Sequence, residues 1–182
     1  MFIRKNPVNI LRGIDRVIAR VEGWLIIIFL GLMVTLTFFQ VILRGLFTHA
    51  HIQWANAIMG HVDWTEPMVR LFVLWLTFLG ASLLTGENKH IKIDLMSTLL
   101  PKRWQPFREL ILSLVCVIIM AFMVKASLGY IKLEMEFGGE LFLAIPAWVG
   151  QLILPVGFSL ILFRFFLQGF DQAMVLYKGG RI

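Results

Sequence analysis

The apolar residues of this chain come in long unbroken blocks, not in the alternation of a half-buried strand or the one-sided stripe of a surface helix. The first block, residues 23–43, contains no charge. At 1.5 Å per residue a helix of that length reaches about 31 Å, against a hydrocarbon core of about 30 Å. It predicts a first membrane span, with Trp24 at one end, where an indole favours the interface. The second span is predicted over 66–86. Its uncharged part, 71–86, is short, so Glu66 and Arg70 belong to the same helix near its outer end, where they can pair at a spacing of four. Thr65-Glu66-Pro67 is a good helix start: a candidate cap, an acid in the first turn, and a proline whose missing N–H costs nothing there. The third span is predicted over 107–131, with Lys125 towards its far end, and the fourth over 146–167, with a kink at Pro155 near Gly157.

The intervening segments have their own patterns. In residues 5–22, Leu11, Ile14, Ile18 and Val21 recur at helical spacing, while Arg12, Arg16 and Arg20 form a separate stripe. This predicts an amphipathic helix in the membrane interface, its arginines near anionic lipid headgroups. Residues 95–108 predict shorter interfacial segments broken by Pro101 and Pro106. Residues 132–140 hold Glu134, Glu136 and Glu140 with Gly138 and Gly139, a tight acidic turn. The fold class is therefore all-α: one integral membrane domain with four transmembrane helices and interfacial amphipathic helices.

Composition sharpens this. Of 182 residues, 59% are hydrophobic and 15% charged, whereas a soluble domain is about 45–50% apolar and about 25% charged. The net charge of +6 would raise the question of nucleic acid in a soluble protein. Here the basic residues flank apolar blocks, so they set orientation, and no nucleic-acid partner is expected. Lys and Arg number five before the first span, one in the first loop, five in the second, two around the third connection and three towards the C-terminus. That alternation predicts both termini in the cytoplasm. The 21-residue first block exceeds the 7–15-residue apolar core of a signal peptide and ends in Val41-Ile42-Leu43-Arg44, so a retained span is expected. Cys116, the single cysteine, has no partner for a disulfide within the chain and reads as a small buried hydrophobe.

Candidate chemistry is sparse. Ion-coupled transporters keep ionisable groups or broken helices near mid-membrane. On the predicted spans no charge falls in the middle; Glu66, Arg70 and Lys125 encroach only from the outer side, suited to pairing or to a contact with another subunit. Haem ligation needs histidines within facing helices, and His49, His51, His61 and His90 all fall in connections, so no cofactor is expected. His49 and His51 are a weak metal signal. Trp75 and Phe78 precede Gly80, Ala81 and Ser82, a mixture that lets helices approach closely with aromatics filling the gaps. Trp75 is deeper than an interfacial belt, which suggests intrachain packing or a neighbouring subunit.

One stretch carries a family resemblance: Trp64-Thr-Glu66-Pro-Met-Val-Arg70-Leu-Phe-Val-Leu-Trp75-Leu-Thr-Phe78-Leu-Gly80-Ala81, followed by His90-Ile-Lys-Ile-Asp94-Leu95, with Ile145-Pro-Ala-Trp148 opening span 4. It resembles the small membrane subunit of tripartite ATP-independent periplasmic (TRAP) transporters, the DctQ-like family. The resemblance implies a bacterial inner-membrane complex. A periplasmic substrate-binding protein captures an organic acid of the dicarboxylate or sialic acid type. A large multi-span permease carries it across, driven by sodium, and the small subunit joins the static scaffold of this elevator. On that view Glu66, Arg70, Trp75, Gly80 and Lys125 sit at or behind the permease contact. His90 and Asp94 would fix the inner loop, and Glu134, Glu136 and Glu140 would face the capture protein. Two other classes remain open: a membrane-anchor subunit of an oxidoreductase, which a haem band would reveal, and a small autonomous transporter, which would need an acid at mid-membrane.

Overall fold

The computed structural model describes residues 7–50, 60, 62–86, 105–142 and 145–179. Five helices and one small β ribbon account for nearly all of them: α1 (Pro7–Ala50), α2 (Thr65–Gly86), α3 (Gln105–Phe137), β1 (Glu140–Phe142), β2 (Ile145–Pro146), α4 (Ala147–Gln151) and α5 (Ile153–Gly179). Four stretches are long and apolar enough to cross a membrane: within α1, α2 and α3, and across α4 and α5 together. His90, Asp94 and residues 95–104 of the expected interfacial segments lie outside the described residues.

α1 differs most from expectation. The anticipated interfacial helix at 5–22 and span at 23–43 are one helix of 44 residues, with no break at 22–23. At 1.5 Å per residue it is about 66 Å long, twice the hydrocarbon thickness. The third helix likewise extends past 131 to Phe137. It ends where Gly138 takes a left-handed conformation (φ 60°) and its N–H bonds the Glu134 carbonyl at 3.0 Å, a glycine C-terminal stop.

Residues 132–137 of the expected acidic turn are thus the last turns of α3, and only Glu140 enters the two-stranded antiparallel ribbon that follows, a small departure from an all-α fold. The Ala147 N–H closes it onto the Gly139 carbonyl at 2.7 Å. The expected kink is a break at Leu152, between α4 and α5. Pro155 has no N–H for the carbonyl of Gln151, four residues earlier, so the ladder is interrupted just upstream of the proline. At the start of α2 the Thr65 hydroxyl donates back to the Val62 carbonyl, as does its N–H at 3.0 Å, so it anchors the preceding turn instead of accepting from a helix N–H.

The helices lie side by side in the order α1, α2, α5, α3. α2 and α5 form the centre. Gly157 and Gly150 are the close-approach points. A Cβ on Gly157 would sit 2.6 Å from a ring carbon of Phe78, and one on Gly150 would sit 2.7 Å from Leu71. Phe78 also meets Phe158 edge-on, ring centroids 5.0 Å apart. On the other side of α2, Phe29 of α1 stacks on Phe72 at 5.1 Å and meets Trp75 edge-on at 5.7 Å. α1 and α3 are the flanks. None of the residues in the most apolar window of α1 is buried, and α3 leaves Phe122, Ile118 and Leu114 largely open.

Candidate functional site

Two cations stand out among the described helices: Arg164, to which the sequence reading gave no role, and Lys125, which it placed near the outer end of its span. At the end of the bundle that carries the first turns of α1 and the last turns of α5, Arg164 of α5 is 2% exposed. Its Nη2 donates to Glu22 of α1 at 2.5 Å, its Nε to Asp15 at 3.2 Å, and its Nη1 to the Ser82 carbonyl of α2. The Ser82 hydroxyl donates to the other Glu22 oxygen at 2.8 Å. Gly86 leaves room for the guanidinium: a Cβ there would stand 3.2 Å from Cζ. One arginine thus fastens three helices with charge-assisted bonds and satisfies a glutamate that is itself buried.

Further contacts extend the junction. Gln168 donates to the Thr85 carbonyl at 2.6 Å, Arg12 pairs with Asp171 at 2.8 Å, and Gln172 bonds Glu109 at the start of α3.

This corrects the expectation that charge encroaches on the spans only from the outer side; Arg164 is one of the three basic residues counted towards the C-terminus. The signal was present in the sequence. Arg164 falls within the predicted fourth span, between Ile161-Leu-Phe and Phe-Phe-Leu, and a charge there demands a partner. Glu22, bordering the first block, was the nearest acid to it.

The second site is Lys125. It was expected near the outer end of its span, measured from an end at residue 131. The helix instead runs six residues further, to Phe137. Gln172 meets Glu109, Gly169 stands over Ser113, and Gly139 reaches Ala147, which fixes the register of α3 against α5 and sets Lys125 level with Gly157. Because Gly157 meets Phe78, Lys125 is level with the middle of the uncharged run 71–86 of α2; it is exposed, with no ion pair or hydrogen bond among the described residues. A lysine at a helix centre in lipid costs about 2.5–3.5 kcal/mol on insertion scales.

The remaining candidates do not gather into one site. Glu66 and Arg70 pair with each other at 2.5 Å, both well exposed. Trp75 packs within the chain, its indole N–H donating to the Gly150 carbonyl at 2.9 Å, so of its two sequence readings the structure gives intrachain packing. Gly80 faces open space: a Cβ would meet nothing within 4 Å. Glu134 lies against Gly139, its Oε1 3.0 Å from where a Cβ would be, while Glu136 and Glu140 are exposed at the ribbon end.

Fold and charges together define a polytopic membrane protein whose helices are locked at one end by a buried arginine and whose flanks are uncovered. The family model for the DctQ component of tripartite ATP-independent periplasmic transporters matches residues 33–173, and the chain belongs to that family. Named relatives agree. The chain is 25% identical to the C4-dicarboxylate TRAP transporter small permease protein DctQ of Pseudomonas aeruginosa, over 85% of this chain and 83% of that one. It is 26% identical to the protein of the same name from Vibrio cholerae, over 80% of this chain and 68% of that one. With the isethionate TRAP transporter permease protein DctMQ of Oleidesulfovibrio alaskensis it shares 28% identity over 79% of this chain. The match spans only 21% of that longer protein. The family and the four apolar helices make this a multi-pass protein of the inner membrane.

Proposed function

We propose that this chain is the scaffold subunit that holds the large permease of a TRAP transporter in the membrane, in sodium-coupled uptake of an organic acid of the dicarboxylate or sialic acid type. The observation that carries this reading is the use made of buried polarity. Arg164, Glu22, Asp15 and Ser82 bond to one another across helices, and the indole of Trp75 to Gly150, so these polar groups fasten helices together. Its apolar flanks, α1 and α3, remain to be covered.

A static body serves an elevator by enlarging what stays anchored while the transport domain moves. The isethionate relative supports the large partner: a permease of which the segment like this chain is about a fifth is a body in which such helices are one part. On this reading both termini are cytoplasmic. The first turns of α1 and the last of α5 pair there through Arg12 and Asp171, and Arg16 and Arg20 face anionic headgroups. Glu134, Glu136 and Glu140 stand on the periplasmic side, available to the substrate-binding protein.

Affinity purification of the tagged chain from a membrane containing its permease is expected to retain the permease. Proteoliposomes are expected to take up substrate only with both subunits and the binding protein present. Uptake by this chain alone would refute the reading.

A further inference from the structure

Lys125 is the group that the scaffold role leaves unexplained. With the membrane centred on the middle of the uncharged run of α2, an extended lysine side chain, reaching about 6 Å, leaves roughly 9 Å of hydrocarbon between its ammonium and either headgroup layer. Exposed to lipid, that charge is strongly disfavoured; against a carboxylate in a protein interface it is neutralised. Its surroundings suit a close helix. Ala121 and Gly129, one turn to either side, are small and exposed, and a Cβ on Gly129 would meet nothing within 4 Å. Phe122 and Leu128 beside them are 70% and 50% exposed. Small residues let a second helix approach and large apolar ones fill its flanks.

A second copy of this chain lacks the needed acid. Among the described residues Asp15, Glu22, Glu109 and Asp171 lie towards one end of the bundle, and Asp63, Glu66, Glu134, Glu136 and Glu140 towards the other. Arg164 already holds its carboxylates, as Arg70 does Glu66.

We infer that the Ala121–Lys125–Gly129 face of α3 is the surface on which the large permease subunit seats, and that a carboxylate on a permease helix at half-depth receives the Lys125 ammonium. This rests on the scaffold reading above and adds the face and the chemistry of the contact.

The test is made on the chain co-expressed with its permease and extracted in mild detergent. Lys125→Met keeps length and removes charge. It is expected to lower co-purified permease by about ten-fold, with Lys125→Glu lower still and Lys125→Arg within about two-fold of the parent. The isolated Lys125→Met subunit is expected to keep its helical circular dichroism and melt no lower than the parent, because it loses only a lipid-facing charge. An independent arm leaves Lys125 in place and puts a benzophenone amino acid at Phe122, where illumination is expected to cross-link the permease. Parental permease retention by Lys125→Met overturns the inference, as does cross-linking only to a second copy or only to lipid. Failure of the parent chain to retain permease under the same conditions instead removes the scaffold reading itself.

Discussion

Arg164 and Lys125 are both cations within apolar helices, yet their surroundings are opposite. Arg164 is enclosed by α1, α2 and α5 and meets two carboxylates and a backbone carbonyl. Lys125 stands on a flank, level with the middle of α2, with no counter-charge among the described residues. The first charge belongs to the fold of the subunit, the second to its assembly. The contrast predicts that neutralising Arg164 harms the isolated chain, whereas neutralising Lys125 harms only the complex.

The largest effect is expected for Arg164→Leu, which leaves Glu22 buried without its cation. A loss of about 3–5 kcal/mol is expected, read as a lower melting temperature of the purified subunit and poor yield. Pairing Arg164→Leu with Glu22→Gln and Asp15→Asn should restore much of it; a triple variant as unstable as the single one would mean that shape, not charge, is what Arg164 supplies.

Next is the helix contact that both sites depend on. Gly157→Leu forces atoms into the Phe78 ring and is expected to destabilise by roughly 1–3 kcal/mol or more, measured by the same melt. Trp75→Phe should then cost about 1 kcal/mol through the lost bond to Gly150. It should leave permease binding nearly unchanged if the ring is purely internal.

The smallest effect concerns the exposed pair. Glu66→Ala or Arg70→Ala should change the melting of the isolated subunit by less than about 0.5 kcal/mol. Both are still expected to reduce permease retention or uptake more than Glu136→Ala does. Equal retention and uptake in all three would remove Glu66 and Arg70 from the contact.

The membrane class was legible because burial in lipid imposes itself on composition. A block of 21 apolar residues and Glu66-Pro67 at a helix start are local signals, readable one segment at a time. The same locality misplaced other features. Splitting α1 at residue 22 followed a change of amphipathic pattern, but a pattern change does not break a helix that has no proline or glycine pair to do so. Ending the third span at 131 followed the first charges after it, although backbone hydrogen bonds continue to Phe137. The helix end and the position of Lys125 relative to the other helices are separate facts, and only the packing of α3 on α5 gives the second.

By itself, then, the sequence determined that the chain crosses a membrane as apolar helices, where those helices broadly lie, and which family motif they carry. Hydrophobic length and turn chemistry act within a single segment. Only the tertiary structure decided what each charge is for. Glu22 and Arg164 are 142 residues apart in the chain, and helix packing brings them to 2.5 Å. The depth of Lys125 depends on the register of α3 against α5, a relation that no one segment contains.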